Sequence, residues 1–223
     1  MRLVTALFDR DGDYQRMYRV LVKSAAEFMP EVKPELIHCE PPEGSDPFRD
    51  TYFGFLPAAR EALTTEEPIA VADADLMFTG SITDVWGFDF DLAFTARDHR
   101  MRYNTGLWFA RPTDAARKFI ADWIDETAIC YDAFSMRMVH DNGGIDQQSL
   151  FNMLQRRHGA KILFLPCQIW NAEQTCWNRV TPETKVIHIK SGLRPVCLGR
   201  AALEPKHARL QPIVDKWRHY DNS

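Results

Sequence analysis

Short apolar runs rich in β-branched residues alternate along this chain with stretches whose apolar residues recur every three or four positions. Leu3 to Phe8 (LVTALF), with Val4 and Thr5 inside it, predicts a buried strand. Behind it Tyr14, Met17, Val20, Leu21, Ala25 and Phe28 recur at helical spacing until Pro30 closes the segment, the pattern of an amphipathic helix lying on a sheet. Glu35 to Cys39 is a second short strand, and PPEGSDP from Pro41 to Pro47 is a loop by its turn residues. Thr51 to Leu63 reads as helix, and Ile69 to Ala72 (IAVA) as a strand, too short for a helix. Further strands are expected at Leu92–Thr95 and Leu107–Ala110. Thr113 is placed to cap a helix whose Ala116, Phe119, Ile120, Trp123 and Ile124 form one apolar face. A helix from about Asp146 to Gln155, strands at Lys161–Leu165 and Val186–Ile189, and a helical wrap after Arg200 complete the expectation.

Strands alternating with helices predict an α/β sandwich with a mostly parallel sheet. The 223 residues contain no internal repeat, and one domain spanning 1–223 is the default. At 45% hydrophobic and 26% charged residues, with a net charge of −4, the composition exerts no global pull towards nucleic acid or anionic membrane, so an acidic partner must be bound locally. The opening MRLVTALFDRDGDYQRMY turns charged too early for a signal peptide, and no apolar run approaches the roughly 20 residues that cross a bilayer. A soluble, cytoplasmic protein is therefore expected. The five cysteines are odd in number, scattered and without a CxxC pair, which predicts buried thiols in place of a disulfide framework or a structural zinc site.

Chemistry is expected where IAVA runs into Asp73-Ala74-Asp75, because open α/β sheets bind ligands beyond the carboxyl ends of their strands. Two carboxylates this close repel and raise one another's pKa. A divalent cation is one reason to tolerate that, since hard oxygen ligands suit Mg²⁺ or Mn²⁺, which keep positions open for substrate phosphate oxygens. A solvated loop or a helix cap is the other reading of the same two residues.

IAVADADLMFTGSITDVW resembles the GT-A glycosyltransferases, in which a strand ending in D-x-D is followed by apolar residues and a small turn. Three further segments follow in the order seen in the retaining, glycogenin-like and galactosyltransferase-like (family 8-type) members. Arg102–Phe109 (RYNTGLWF) is similar to their N-x-G element, Gly144–Leu150 (GIDQQSL) to their D-Q element, and Val186–Pro195 (VIHIKSGLRP) to their closing histidine strand. The resemblance implies a GT-A, Rossmann-like nucleotide-diphospho-sugar transferase fold. It also implies a metal-dependent hexosyltransferase that uses a nucleoside-diphosphate sugar, with a bias towards UDP, and retains the anomeric configuration.

Residue by residue, the resemblance implies that His188 joins Asp73 and Asp75 on Mn²⁺ or Mg²⁺ as a neutral imidazole. It implies that Lys190 or Arg194 neutralises the diphosphate, although the loop around Gly192 departs from the usual H-x-x-G-x-x-K-P by one residue on each side. Asn104 offers an amide to a sugar hydroxyl, and Gly106 lets backbone approach a ligand. Asp146 and Gln147 open a helix where an acidic side chain is favoured, and the Gln147 carbonyl is the candidate to face the anomeric carbon. Thr5, Ala6, Asp9 and Tyr14 resemble the edge that receives uridine, with Tyr14 also readable as the first turn of a core helix. On this division, residues 1–100 mainly bind nucleotide and 101–223 mainly bind sugar and acceptor.

Two other classes fit the D-x-D alone. A haloacid-dehalogenase-like phosphatase would use Asp73 as nucleophile, although its motif normally continues with Thr or Val where Met77 stands. A non-catalytic nucleotide-sugar-binding domain would keep the site without turnover. The acceptor is left open among glycan, lipid, protein and nucleic acid, as is the oligomeric state. Trp170-Asn171 and Trp177-Asn178, in a loop-like segment before the histidine strand, are the acceptor-side candidates.

Overall fold

The computed structural model describes residues 1–7, 12–40, 43–44, 49 and 51–223, apart from the side chain of Thr51; Phe8, Asp9 and most of the loop expected at 41–47 lie outside the described residues. In chain order the elements are β1 (Arg2–Leu7), α1 (Asp13–Phe28), β2 (Pro34–His38), α2 (Thr51–Thr64), β3 (Ile69–Ala72) and β4 (Leu76–Phe78). Then follow β5 (Leu92–Ala96), β6 (Tyr103–Ala110), α3 (Asp114–Asp132), α4 (Met136–Asn142), α5 (Ile145–Leu154) and β7 (Ile162–Pro166). The short α6 (Cys167–Trp170), β8 (Val186–His188), the short α7 (Leu193–Cys197) and α8 (Gln211–Asn222) close the chain.

Six strands form the main sheet in the order β2-β1-β3-β6-β5-β7, and β6 alone runs against the other five. The mostly parallel α/β sheet expected from the sequence is present, with helices on both faces. Because successive strand side chains point to opposite faces, Val4, Ile69, Val71, Phe94 and Trp108 pack beneath α2, α3 and α5, while Leu3, Ala70, Ala72, Ala93 and Phe109 pack towards α1. Thr113 caps α3 as expected, its Oγ1 accepting from the Ala116 amide at 3.1 Å. The C-terminal wrap is the helix α8, tied to α1 by Arg16–Asp221 and by Lys23 Nζ donating to the Tyr220 carbonyl at 2.8 Å.

Besides the short α6 and α7, which the sequence pattern does not mark, three features differ from the expectation. The strand expected at 107–110 starts at Tyr103: β5 and β6 slip in register between Phe94↔Trp108 and Thr95↔Asn104, so a bulge holds the turn-forming Asn104-Thr105-Gly106 within a fully buried strand. Leu76–Phe78 is a strand, and it pairs antiparallel with β8 in a separate two-stranded sheet, Leu76 opposite His188. Helix α4 had no counterpart in the reading, since it is short and buries no residue that would mark a periodic face.

Candidate active site

Asp73-Ala74-Asp75 bridges the two sheets. The Asp73 amide donates to the Gly106 carbonyl at 2.8 Å, continuing the β3–β6 ladder, and the Ile189 amide donates to the Asp75 carbonyl at 2.7 Å, continuing the β4–β8 ladder. Backbone hydrogen bonds on both sides thus fix where the two carboxylates stand. The β4–β8 register then carries His188 to them: its Nε2 is 3.0 Å from Asp75 Oδ1 and 3.6 Å from Asp73 Oδ2.

The imidazole tautomer follows from its neighbours. Asn171 Nδ2 donates to Thr95 Oγ1 at 3.1 Å and to Asn104 Oδ1 at 2.9 Å, so Asn171 Oδ1 is left to accept from His188 Nδ1–H at 3.0 Å. Nε2 of the neutral ring therefore presents a lone pair to the two carboxylates. Burial lowers the His188 pKa, against the pull of Asp75, and so favours that neutral ring. Burial opposes ionisation of Asp75 as well, but the Arg194 guanidinium on its Oδ2 and the nearby Lys190 charge hold its carboxyl below the usual range. Asp73 is pushed up to about 7 by desolvation on the cavity floor and then by the Asp75 and Asp146 charges. Its side chain keeps 54% of its surface open, so the repulsion between carboxylates is the part that a bound cation relieves.

Ligating atoms of Asp73, Asp75 and His188 all lie within 4.8 Å of one another. Two carboxylates and an imidazole lone pair, converging without a donor of their own among the three, form a set that fits Mn²⁺ or Mg²⁺. Gly106 provides the room. A Cβ at position 106 would stand 2.5 Å from His188 Cε1 and 2.8 Å from Asp73 Oδ2, so a larger residue would occupy the space this trio uses.

The trio opens into a cavity of about 250 Å³ that is also lined by Ala6, Leu7, Tyr14, Ala74, Asn104, Thr105, Asp146, Gln147, Lys190 and Arg194. Asn104 lies buried in the β6 bulge; its Oδ1 accepts from the Gly106 amide at 2.8 Å and its Nδ2 has no partner. Asp146, in the first turn of α5, accepts from Thr105 Oγ1 through Oδ2 and leaves Oδ1 unpartnered. Burial raises its pKa, and the Thr105 hydrogen bond opposes the shift. The Gln147 amide satisfies its surroundings when Nε2 donates to the Tyr103 carbonyl at 2.5 Å and the Asn142 carbonyl at 3.3 Å. It lies against Gly143, whose φ of +89° and close approach exclude a side chain there. Arg194 donates to Asp75 Oδ2 and lies 4.7 Å over the Tyr14 ring, while Lys190 lines the cavity near the carboxylates. Burial, reinforced by Asp75, pushes the Tyr14 hydroxyl up to about 12.

Not every candidate reaches the cavity. Thr5 is fully buried in β1 with its Oγ1 unpartnered, and Gly192 stands before α7, outside the lining; Asp9 lies outside the described residues. Trp170 and Trp177, read as acceptor-side residues, are core: they are 5% and 2% exposed, and Trp170 meets Phe109 edge-on. Their neighbour Asn171 has a different part, orienting His188 from beneath. The Ala172 amide donates to the Val186 carbonyl and the His188 amide to the Ala172 carbonyl, which docks this segment alongside β8. Gly54, Phe55 and Ala58 of α2, which the sequence pattern marks only as ordinary core positions, also line the cavity, as does Trp108 of the N-x-G segment.

A mixed α/β sheet thus places paired carboxylates, a histidine and two cations around one cavity at its strand ends. The chain belongs to the nucleotide-diphospho-sugar transferase family, whose model matches residues 58–192, and it is a glycosyltransferase of GT-A fold. Among solved structures it is similar to a glycosyltransferase involved in glycosylation of the major capsid of PBCV-1, at 11% identity and a TM-score of 0.61, covering 100% of this chain and 98% of that one. It is also similar to the glycosyltransferase GlyE of Streptococcus pneumoniae TIGR4, at 16% identity and a TM-score of 0.63, covering 100% of this chain and 61% of that one. Galactosyltransferase LgtC in complex with donor and acceptor sugar analogues matches at 12% identity and a TM-score of 0.59, covering 100% and 95%. Among curated proteins no sequence matches. The family assignment sets the phosphatase reading aside. No described helix is long and apolar enough to cross a membrane.

Proposed function

We propose that this glycosyltransferase is metal-dependent, takes a UDP-sugar, and transfers the sugar with retention of anomeric configuration to an acceptor that the cavity does not identify. The observation that carries the reading is the convergence of Asp73, Asp75 and the His188 Nε2 lone pair on one point of the cavity. Mn²⁺ or Mg²⁺ held there supplies charge neutralisation for the departing diphosphate.

The protein's own residues do the rest by position and charge. Lys190 and Arg194 face the diphosphate side, and Arg194 exchanges its contact with Asp75 for a phosphate oxygen. Tyr14, Ala6 and Leu7 border the nucleobase, with Asp9 assigned to the same edge by resemblance. The unpartnered Asn104 Nδ2 and Asp146 Oδ1 hold sugar hydroxyls, and the anchored Gln147 amide presents its Oε1 towards the anomeric carbon. Retention then follows from attack on the face that the leaving group vacates, the acceptor hydroxyl giving its proton to the departing phosphate oxygen. The chain acts as one domain in which residues 1–100 mainly bind the nucleotide and residues 101–223 mainly bind sugar and acceptor, although His188, Lys190 and Arg194 complete the diphosphate site from the second half.

Incubation with a panel of UDP-sugars and Mn²⁺ tests the proposal. Slow UDP release with one donor, lost in Asp75→Asn, supports it, and the anomer of the first product seen by NMR reports retention. Donor binding without any release would support a binding module.

A further inference from the structure

Away from the cavity, Cys167 and Cys176 bracket the segment that carries Asn171. Their sulfurs lie within 4.8 Å of each other and of a Glu173 carboxylate oxygen, and both residues are buried, at 2% and 1% exposure. Cys167 Sγ donates to the Asn171 carbonyl at 2.8 Å. Three such ligands can be read as a metal site, but Glu173 is already engaged: its Oε1 accepts from Arg97 Nη1 at 3.0 Å, from the Thr175 amide at 3.2 Å and from Thr175 Oγ1. A cation there would have to compete with a buried guanidinium for the carboxylate, and only three ligands meet among the described residues, where a closed structural zinc site has four.

We propose that Cys167 and Cys176 form a dithiol that converts to an intrachain disulfide, closing a ring around residues 168–175 beneath His188. With glutathione disulfide as oxidant, one cysteine thiolate attacks its S–S bond, forming a mixed disulfide and releasing one glutathione thiolate. The second cysteine thiolate attacks the protein sulfur of that mixed disulfide and releases the second glutathione. Two electrons pass from the cysteine sulfurs to the glutathione sulfurs, and the two cysteine protons end on two glutathione thiols. Burial makes local opening of the 167–176 loop a precondition, so the exchange is slow compared with that of an exposed thiol. Closure removes the Cys167 S–H donor from the Asn171 carbonyl, and it therefore acts on the loop that orients the His188 ring.

The test uses the full chain equilibrated in glutathione buffers from reducing to oxidising, quenched with N-ethylmaleimide and digested with trypsin. Lys161 and Arg179 bound a peptide, 162–179, that contains both cysteines and no internal cleavage site. The expected result is a shift of this peptide from doubly alkylated to an unalkylated form two hydrogens lighter than the dithiol, with no stable double glutathione adduct. Cys176→Ser, which cannot close the ring, should give only the singly alkylated or singly glutathionylated peptide. A peptide doubly alkylated at every glutathione ratio overturns the proposal. So does one equivalent of zinc released to a chromogenic chelator when the thiols are modified, because the trio is then a metal site. The readout is the covalent state of two sulfurs, so it stands apart from any measurement of sugar transfer.

Discussion

Gly106 and His188, far apart in sequence, are in contact at the bottom of the cavity: a methyl group added to Gly106 would stand 2.5 Å from His188 Cε1. The ring has little freedom to retreat, because it is buried and its Nδ1 is hydrogen-bonded to Asn171. The half-exposed Asp73 carboxylate, 2.8 Å from the same point, can move more easily. Gly106→Ala is therefore expected to displace the ligands while leaving the strand intact. Mn²⁺ affinity by calorimetry should fall by about 10- to 100-fold, the range for disturbing the support of a metal ligand. Unchanged affinity would remove Gly106 from the site.

Asn171 is predicted to matter as a positioning residue. Asn171→Leu removes the acceptor for His188 Nδ1–H and the donor to Asn104 Oδ1, costing about 1–3 kcal/mol for buried groups left unpaired. Metal affinity should drop with stability. The ¹⁵N signature of the His188 ring, in which Nδ1 carries the proton in the parent protein, should shift towards a mixed tautomer; a ring that keeps its Nδ1 proton in the variant would show that Asn171 does not set the tautomer.

Metal binding should be visible without any substrate. At Mn²⁺ a hundredfold above its dissociation constant the folded state gains about 2.7 kcal/mol. For a chain of this size that corresponds to a Tm increase of about 5–11 °C. EDTA should reverse the rise, and Asp75→Asn and His188→Ala should each abolish it. An equal rise in either variant places the ion elsewhere.

The Arg97–Glu173 pair is buried on both sides, with side chains 3% and 4% exposed. Arg97→Met leaves the carboxylate buried without its cation and should destabilise the fold by about 3–5 kcal/mol. The pH dependence should change sign as well. Burial opposes ionisation of Glu173, yet Arg97 and Thr175 lower its pKa on balance. Its contribution to stability is thus present above the unfolded-state value and is lost as pH falls through the folded one. In Arg97→Met the folded pKa lies above the unfolded value, so lowering the pH from 7 towards 5 should narrow the stability gap between variant and parent. Urea denaturation at both pH values measures this; a gap that widens on acidification contradicts it.

The local elements of the fold were legible because their signals are local. The two-faced burial of a central sheet makes IAVA and LWFA continuously apolar, and Thr113 caps α3 by a contact three residues away. Elements without such a signature escaped notice. Leu76–Phe78 has only three residues and is a strand because β8 lies beside it, and Asn104-Thr105-Gly106 has turn chemistry that a bulge accommodates within β6.

The same division runs through the site. Sequence alone determined which side chains could take part: Asp73 and Asp75 at a strand end, Asn104, Asp146 with Gln147 at a helix start, and His188, all of which line one cavity. Tertiary structure decided what they face. The register Leu76↔His188 sets the imidazole on Asp75, and Asn171 turns its lone pair towards the carboxylates. Arg194 lies on Asp75 and Tyr14, and burial removes Trp170 and Trp177 from any acceptor surface. The physical reason is that residue type and spacing set chemical capacity and local periodicity, whereas hydrogen-bond direction, burial and contact depend on the pairing of strands distant in the chain, which local patterning does not encode.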